Sequence, residues 1–266
     1  MTKRELIEQI KKKNTCLCIG LDTDIEKLPA HLTKNPESVL EFNKEIIDAT
    51  SDLCVAYKIN TAFYESMGTK GWEVLEKTAG YLPETHFRIA DAKRGDIGNT
   101  SSQYAKAFFQ EMSFDAVTVA PYMGSDSVEP FLQFDNKWAI ILALTSNPGS
   151  KEFQKLKTGD NYLWQEVLNT TSAYGSTENM MYVVGATRAD DLKEVRKIAP
   201  DHFLLVPGVG AQGGNVSEVI MNGKNKDTGL LINVSRAVIF ASSGKNFAEM
   251  ARKKAQDYHN EMKTYL

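Results

Sequence analysis

His86-Phe87-Arg88-Ile89-Ala90-Asp91-Ala92-Lys93-Arg94-Gly95-Asp96-Ile97-Gly98-Asn99-Thr100 is the stretch that decides the fold. Its first half reads as a short buried strand, and its second half as a turn, permitted by Gly95, that leads into a helix. Side chains two apart on a strand point the same way. Asp91 and Lys93 therefore project together from the strand end, with Asp96 three residues further on. The expectation is a carboxylate–ammonium–carboxylate cluster. Acids on both sides favour the charged form of a lysine. Such a lysine is a poor base and a poor Schiff-base amine, but a well-placed proton donor. The bland alternative is a surface salt-bridge triplet, worth little. The rest of the chain decides between the two.

Outward from this unit, apolar runs alternate with amphipathic stretches. The strand candidates are Thr15–Asp22, Leu53–Asn60, His86–Lys93, Ala116–Pro121, Ala139–Ser146, Met181–Ala186, Phe203–Gly210 and Leu230–Ser235. They are continuous apolar runs, as expected for parallel strands buried on both faces. Helices are expected over 37–50, 63–80, 100–112, 125–133, 160–176, 189–198, 214–222 and 246–264, with a helix over 2–13 capping one end. Asn99 to Ser102 should cap the third barrel helix, and Ser125 and Asp126 the fourth. No linker or low-complexity tract splits the chain. Eight β/α alternations in 266 residues predict an α/β fold, a single (β/α)8 TIM barrel with an N-terminal capping helix, spanning 1–266 as one catalytic domain.

In such barrels the active site lies at the C-terminal strand ends. Polar residues collect there: Asp22 after the first run, Lys58 and Asn60 at the second, Asp91 and Lys93 at the third, Thr145 and Ser146 at the fifth, Ser235 and Arg236 at the eighth. The seventh ends in Pro207-Gly208-Val209-Gly210-Ala211-Gln212-Gly213-Gly214. Glycine spacing alone is weak evidence, but the loops after strands seven and eight often bind phosphate. Glycines let backbone N–H groups approach the anion, Gln212 can add an amide donor, and Arg236 offers a bidentate guanidinium. The segment Asn147–Asp160 is too long for an ordinary βα loop and is either a lid or an insertion.

Composition bounds the rest. The chain is 42% hydrophobic and 24% charged, with net charge -3. That balance argues against general nucleic-acid binding, so an anionic ligand must be held by a local site. No run approaches membrane-spanning length, and Met1 to Lys13 is charged and amphipathic, without an apolar signal region. A cytoplasmic location is expected. Cys16, Cys18 and Cys54 read as buried, reduced core residues. His31, His86, His202 and His259 do not recur at metal-ligand spacing, so no metal site is expected. His86 and His202 open strands, far from the catalytic ends. Trp72, Trp138 and Trp164 read as core or interface aromatics.

The D-x-K-x-x-D-I-x-x-T pattern at Asp91, Lys93, Asp96, Ile97 and Thr100 resembles the orotidine 5′-phosphate decarboxylase family. The resemblance extends over nearly the whole chain. Asp22 and Lys58 match the family's earlier aspartate and lysine, and Thr145-Ser146 the segment that contacts the pyrimidine. Pro207 to Gln212 and Arg236 match its phosphate grip, and the TSNPGS segment its longer bacterial subgroup. D-x-K-x-x-D alone is shared with sugar-phosphate relatives such as hexulose-phosphate synthase. Ile97, Thr100, Lys58 and Gln212 make the decarboxylase the more specific match.

The resemblance implies conversion of orotidine 5′-monophosphate to uridine 5′-monophosphate and carbon dioxide without a cofactor. Asp91 would sit beside the departing carboxylate, and Lys93 would stabilise charge at C6 and deliver the replacing proton. Lys58 would hold Asp91 and Asp96 and contact the ribose, with Asp22 on a ribose hydroxyl and Ser146 on the base. Asp96 and Thr100 would act in the partner subunit's site, which implies a homodimer. Two other readings stay open. One is a sugar-phosphate lyase or synthase using a metal-bound enediolate, which would need further acidic ligands at the mouth. The other is a catalytically silent nucleotide-binding protein.

Overall fold

The computed structural model describes residues 1–186, 189–210 and 213–266. Eight parallel strands among them close into a barrel: β1 Leu17–Gly20, β2 Ala56–Asn60, β3 Phe87–Arg94, β4 Ala116–Val119, β5 Trp138–Leu144, β6 Met180–Val184, β7 Phe203–Pro207 and β8 Leu230–Val234. Each strand pairs with its sequence neighbours, and β8 closes on β1 through Leu17 opposite Ile232. All eight expected strands are present. Most ends are trimmed because only the paired core of each apolar run joins the ladder, whereas β3 runs on to Arg94, and β5 and β6 each start one residue early, at Trp138 and Met180.

Alternation along the strands divides the side chains into two sets. One set faces the surrounding helices. The other fills the barrel, where Cys18, Ala56, Phe87, Ile89, Trp138, Met181, Phe203 and Leu231 pack together. The bulky rings lie low in this stack, with Trp138 edge-on to Phe87 at 5.9 Å and to Phe203 at 6.4 Å. The helix Lys3–Lys13 plugs that end by inserting Leu6 and Ile10 into the same cluster. Trp138 Nε1 donates to the carbonyl of Met1, and the terminal ammonium reaches Asp115 at 2.6 Å. With one end filled and plugged, the barrel interior is left open toward the opposite mouth.

Several helices differ from expectation. The stretch 63–80 breaks into Ala62–Glu65 and Gly68–Tyr81, because the chain turns at Gly68 with φ +65°. The third barrel helix starts at Gly98 after Ile97, with no side-chain cap from Asn99 to Ser102. The Ser101 hydroxyl instead donates to the carbonyl of Asp96 at 2.7 Å, securing the preceding turn. Ser125–Val128 likewise begins without a side-chain cap from Ser125 or Asp126 and continues as a 3-10 turn, Glu129–Gln133. The segment after β5 holds a one-turn helix, Ser150–Phe153, and a small hairpin, Lys157–Thr158 with Asn161–Tyr162, before a shorter helix Leu163–Thr171.

The three cysteines are buried and free, and burial pushes the Cys16 and Cys54 thiols up to about 12. Trp138 and Trp164 are core residues, whereas Trp72 is 37% exposed. The strand-opening histidines are structural. His86 Nε2 lies 2.8 Å from the Lys13 ammonium and 2.7 Å from the carbonyl of Ser51, and burial lowers its pKa to about 4. His202 packs against Tyr182 with the rings tilted at 60°, and is also lowered to about 4 by burial. Both stay neutral in the fold down to that pH, while the unfolded chain binds their protons near 6.5. Stability is therefore full above about pH 6.5 and falls as pH drops toward about 4. The slope is at most about 1.4 kcal/mol per pH unit for each ring, less where water reaches it. Urea unfolding midpoints at pH 7 and pH 5 should show this loss, and His86→Gln should flatten it. An unchanged slope in that variant would remove His86 from the account.

Candidate active site

The open mouth is built by the inward-facing residues at the upper ends of the strands. On β3 the inward series Phe87, Ile89 ends in Asp91, and β2 places Lys58 beside Ile89. The Lys58 ammonium is buried, 2.9 Å from Asp22 Oδ1 and 3.1 Å from Asp91 Oδ2. Burying an ammonium costs several kcal/mol. A carboxylate at about 4 Å returns about 4 kcal/mol at an effective dielectric of 20, and the two here lie closer than that, offsetting the cost. Burial lowers the Lys58 pKa, but Asp22 and Asp91 raise it more, and the net direction is upward. Burial likewise opposes ionisation of Asp91, yet Lys58 and Lys93 hold it well below the usual carboxylate range.

Lys93 Nζ lies 2.6 Å from Asp91 Oδ1. Its side chain is 49% exposed, against 3% for Lys58. That difference decides which ammonium can meet a ligand: Lys58 is a fixed support, and Lys93 reaches into the mouth. The strand does not deliver Lys93 by simple alternation. The β3–β4 pairing slips between Ala90 and Arg94, and Lys93 adopts φ +47°.

Two joined hollows open here. One, of about 210 Å³, lies between Lys93, Asp91 and Lys58 on one side and Leu142, Val183 and Leu205 on the other, with Thr145 and Ser146 at its rim. The other, of about 120 Å³, is bounded by Asp22, Lys58 and Asp91, by Pro207 to Val209, and by Asn233, Ser235 and Arg236. Gly20 makes room for this second hollow, since a Cβ there would lie 2.6 Å from the Ser235 Cβ. Gly208, Gly210 and Gly213 all have positive φ, and the Gly210 amide donates to the carbonyl of Gly214. Among the described residues the Ser235 hydroxyl is buried without a partner, and the exposed Arg236 has no carboxylate partner. An anion would satisfy both. Gln212 lies outside the described residues. Also among the described residues, no group of three or more His, Cys, Asp and Glu side chains could hold a metal ion.

Residues 15–251 match the profile of the Orotidine 5′-phosphate decarboxylase / HUMPS family. An orotidine 5′-phosphate decarboxylase of Christiangramia forsetii is 57% identical over 269 residues, covering 100% of this chain and 99% of that protein. One from Flavobacterium johnsoniae is also 57% identical, covering 98% and 97%. The chain belongs to the orotidine 5′-phosphate decarboxylase family. It is an enzyme of the carboxy-lyase class. The solved structure of Leishmania donovani OMP decarboxylase superposes with a TM-score of 0.82 at 34% identity, covering 98% of this chain and 100% of that one.

Seen as a decarboxylase, the chain brings Asp22, Lys58, Asp91 and Lys93 into one connected array, and sets Thr145, Ser146, Pro207, Ser235 and Arg236 around it. Asp96 departs from expectation. It joins neither Lys93 nor Lys58, and its carboxylate accepts from the Ile97 amide at 2.8 Å. The acid–lysine–acid cluster of one chain is therefore Asp91 and Asp22 about Lys58, not Asp91 and Asp96 about Lys93. The cause is the turn at Gly95, which carries Asp96 past the mouth. Thr100 is exposed on the helix beyond it.

Sequence reasoning missed three supports of the candidate site. Asn233 lines the second hollow with its Oδ1 accepting from Cys18 Sγ at 3.6 Å. An asparagine inside the run Leu230-Leu231-Ile232-Asn233-Val234 was the available signal, since buried polar groups need partners. Gln154, on the segment after β5, accepts from the Thr145 amide at 2.8 Å and donates to its hydroxyl at 2.9 Å. That brace, with Lys155 paired to Asp191 at 3.0 Å, docks the segment against the mouth. Thr118 touches both Asp91 and Lys93.

Proposed function

We propose that the chain removes carbon dioxide from orotidine 5′-monophosphate, leaving uridine 5′-monophosphate, through an ion array in which Lys93 is the proton donor. The observation that carries this reading is the half-exposed Lys93 ammonium, held against Asp91 and facing an apolar wall of Leu142, Val183 and Leu205. The bond from C6 to the carboxylate breaks, its electron pair stays on C6, and a proton passes from Lys93 to C6 as carbon dioxide leaves. The apolar wall lowers the local dielectric, so a cation at C6 counts for more than it would in water. Lys58 and Asp91 fix that cation before substrate arrives, so little reorganisation accompanies the chemistry.

The remaining roles follow the same reading. Asp22 and Lys58 contact the ribose, Thr145 and Ser146 the base, and Pro207, Gln212, Ser235 and Arg236 the phosphate. No cofactor is required. Asp96 and Thr100 are contributed to the site of a second subunit, and the whole chain 1–266 serves as one catalytic domain. The exposed Ile97, Tyr122 and Met123, on the neighbouring loops after β3 and β4, support a homodimer covering this edge. No helix of the described residues is long and apolar enough to cross a membrane. A cytoplasmic site of action fits the composition.

The test uses EDTA-treated protein and two substrates, orotidine 5′-monophosphate and orotidine. The wild type should consume the nucleotide without added metal. Arg236→Ala should lose about tenfold or more on the nucleotide, a charge-assisted contact being worth about 1.5–3 kcal/mol, and scarcely change on the nucleoside. Remote phosphate binding can also assist closure, so part of the loss should fall on kcat. Equal losses on both substrates would make Arg236 a support of the fold, and activity only with added divalent metal would favour the enediolate reading.

A further inference from the structure

Thr118 lies inside the barrel on β4, fully buried, and lines neither of the two hollows described above. Its hydroxyl stands between two parts of the ion array. The Lys93 amide donates to Oγ1 at 2.9 Å, and Oγ1 lies 3.0 Å from Asp91 Oδ1. The roles are forced: an amide N–H only donates and a carboxylate only accepts, so the single hydroxyl proton points at Asp91. The same Asp91 oxygen takes the Lys93 ammonium at 2.6 Å. One carboxylate oxygen, one hydroxyl and the backbone and side chain of Lys93 thus form a closed ring.

The β3–β4 ladder explains why a hydroxyl is needed there. Pairing runs Ile89 opposite Ala116 and Ala90 opposite Val117, then resumes only at Arg94 opposite Val119. The residues 91–93 face Thr118 alone. The Lys93 amide therefore lacks a strand carbonyl, and Lys93 takes a left-handed conformation, φ +47°, that a residue with a Cβ adopts only under strain. The Thr118 hydroxyl substitutes for the missing carbonyl and returns its own proton to Asp91.

We propose that Thr118 is a positioning residue of the decarboxylation, fixing the Lys93 backbone and the Asp91 carboxylate together so that the ammonium is aimed into the mouth. The proposal rests on the reading of Lys93 as proton donor. It differs from a purely structural role, in which Thr118 would fill space and satisfy a bulge without bearing on turnover. Misplacement of a reacting group by about 1 Å can cost about a hundredfold in rate.

Thr118→Val keeps the shape and removes both hydrogen bonds. It is expected to lower kcat about 10- to 100-fold while KM changes less than about threefold. Thr118→Ser returns the hydroxyl without the methyl, and is expected to recover most of that loss even if its melting temperature is lower. Where the valine variant does not fold, Thr118→Ser against Thr118→Ala carries the same comparison, the two differing by one oxygen. Serine turning over at least about tenfold faster than alanine supports the proposal. Valine within about threefold of wild-type kcat overturns it, as do equal losses in serine and alanine. Lys93→Ala, measured alongside, separates the two levels: activity in that variant removes the proton-donor reading, whereas its loss beside an active Thr118→Val removes only the role of Thr118.

Discussion

Lys93→Ala is expected to lose at least about a hundredfold in kcat, while affinity for the product nucleotide falls far less. Among the described charged groups of the mouth, Lys93 alone combines contact with Asp91 and substantial exposure to the hollow. Lys58 cannot replace it, because Asp22 and Asp91 hold that ammonium in a buried position beneath. Groups that stabilise developing charge in a closed site are worth about 3 kcal/mol or more, a factor of about a hundred at least. The product has no charge at C6 to stabilise, so its binding should miss Lys93 less. Folding should survive: Asp91 keeps Lys58 and Thr118 as partners, and alanine at φ +47° is about as strained as lysine. Single-turnover kinetics beside calorimetric binding of uridine 5′-monophosphate would separate the two effects. Turnover within about tenfold of wild type would end the proton-donor mechanism.

Mixing two inactive variants is expected to restore activity. Lys93 points into its own barrel, whereas Asp96 is carried past the strand end by the Gly95 turn and meets no lysine among the described residues. If Asp96 serves the neighbouring site, Lys93→Ala and Asp96→Ala homodimers each lack one element in both sites. A mixed dimer of two-fold symmetry instead gathers both lesions into one site and leaves the other intact. Random exchange between equal amounts makes half of the dimers mixed, so about a quarter of wild-type activity should return. The measurement is activity against time after mixing, with exchange followed by native mass spectrometry of differently tagged chains. Demonstrated exchange without recovery would return Asp96 to its own chain and remove the reason for an obligate dimer.

Much of the active mouth was legible because barrel topology turns sequence position into spatial position. Once eight apolar runs alternate with helices, every residue just past a run must lie at one end of the barrel. Asp22, Lys58, Asp91, Thr145, Ser235 and Arg236 could therefore be gathered without coordinates. The plug helix was legible for a similar reason: Leu6 and Ile10 lie four apart on one helical face with nothing local to cover them. The left-handed backbone at Lys93 was not legible, since no glycine marks it.

Sequence alone determined the order of the strands, the end at which polar groups collect and the residue types available there. Tertiary structure alone decided their partners. Asp96 lies three residues from Lys93 in the chain, yet the Gly95 turn separates them, while Asp22, far away in sequence, stands 2.9 Å from the Lys58 ammonium. Thr118 and Asn233 read as ordinary members of apolar strands until inter-strand register set one against Asp91 and the other against Cys18. Register and bulges depend on how eight strands close on one another, and closure is a property of the whole sheet that no local run of residues contains.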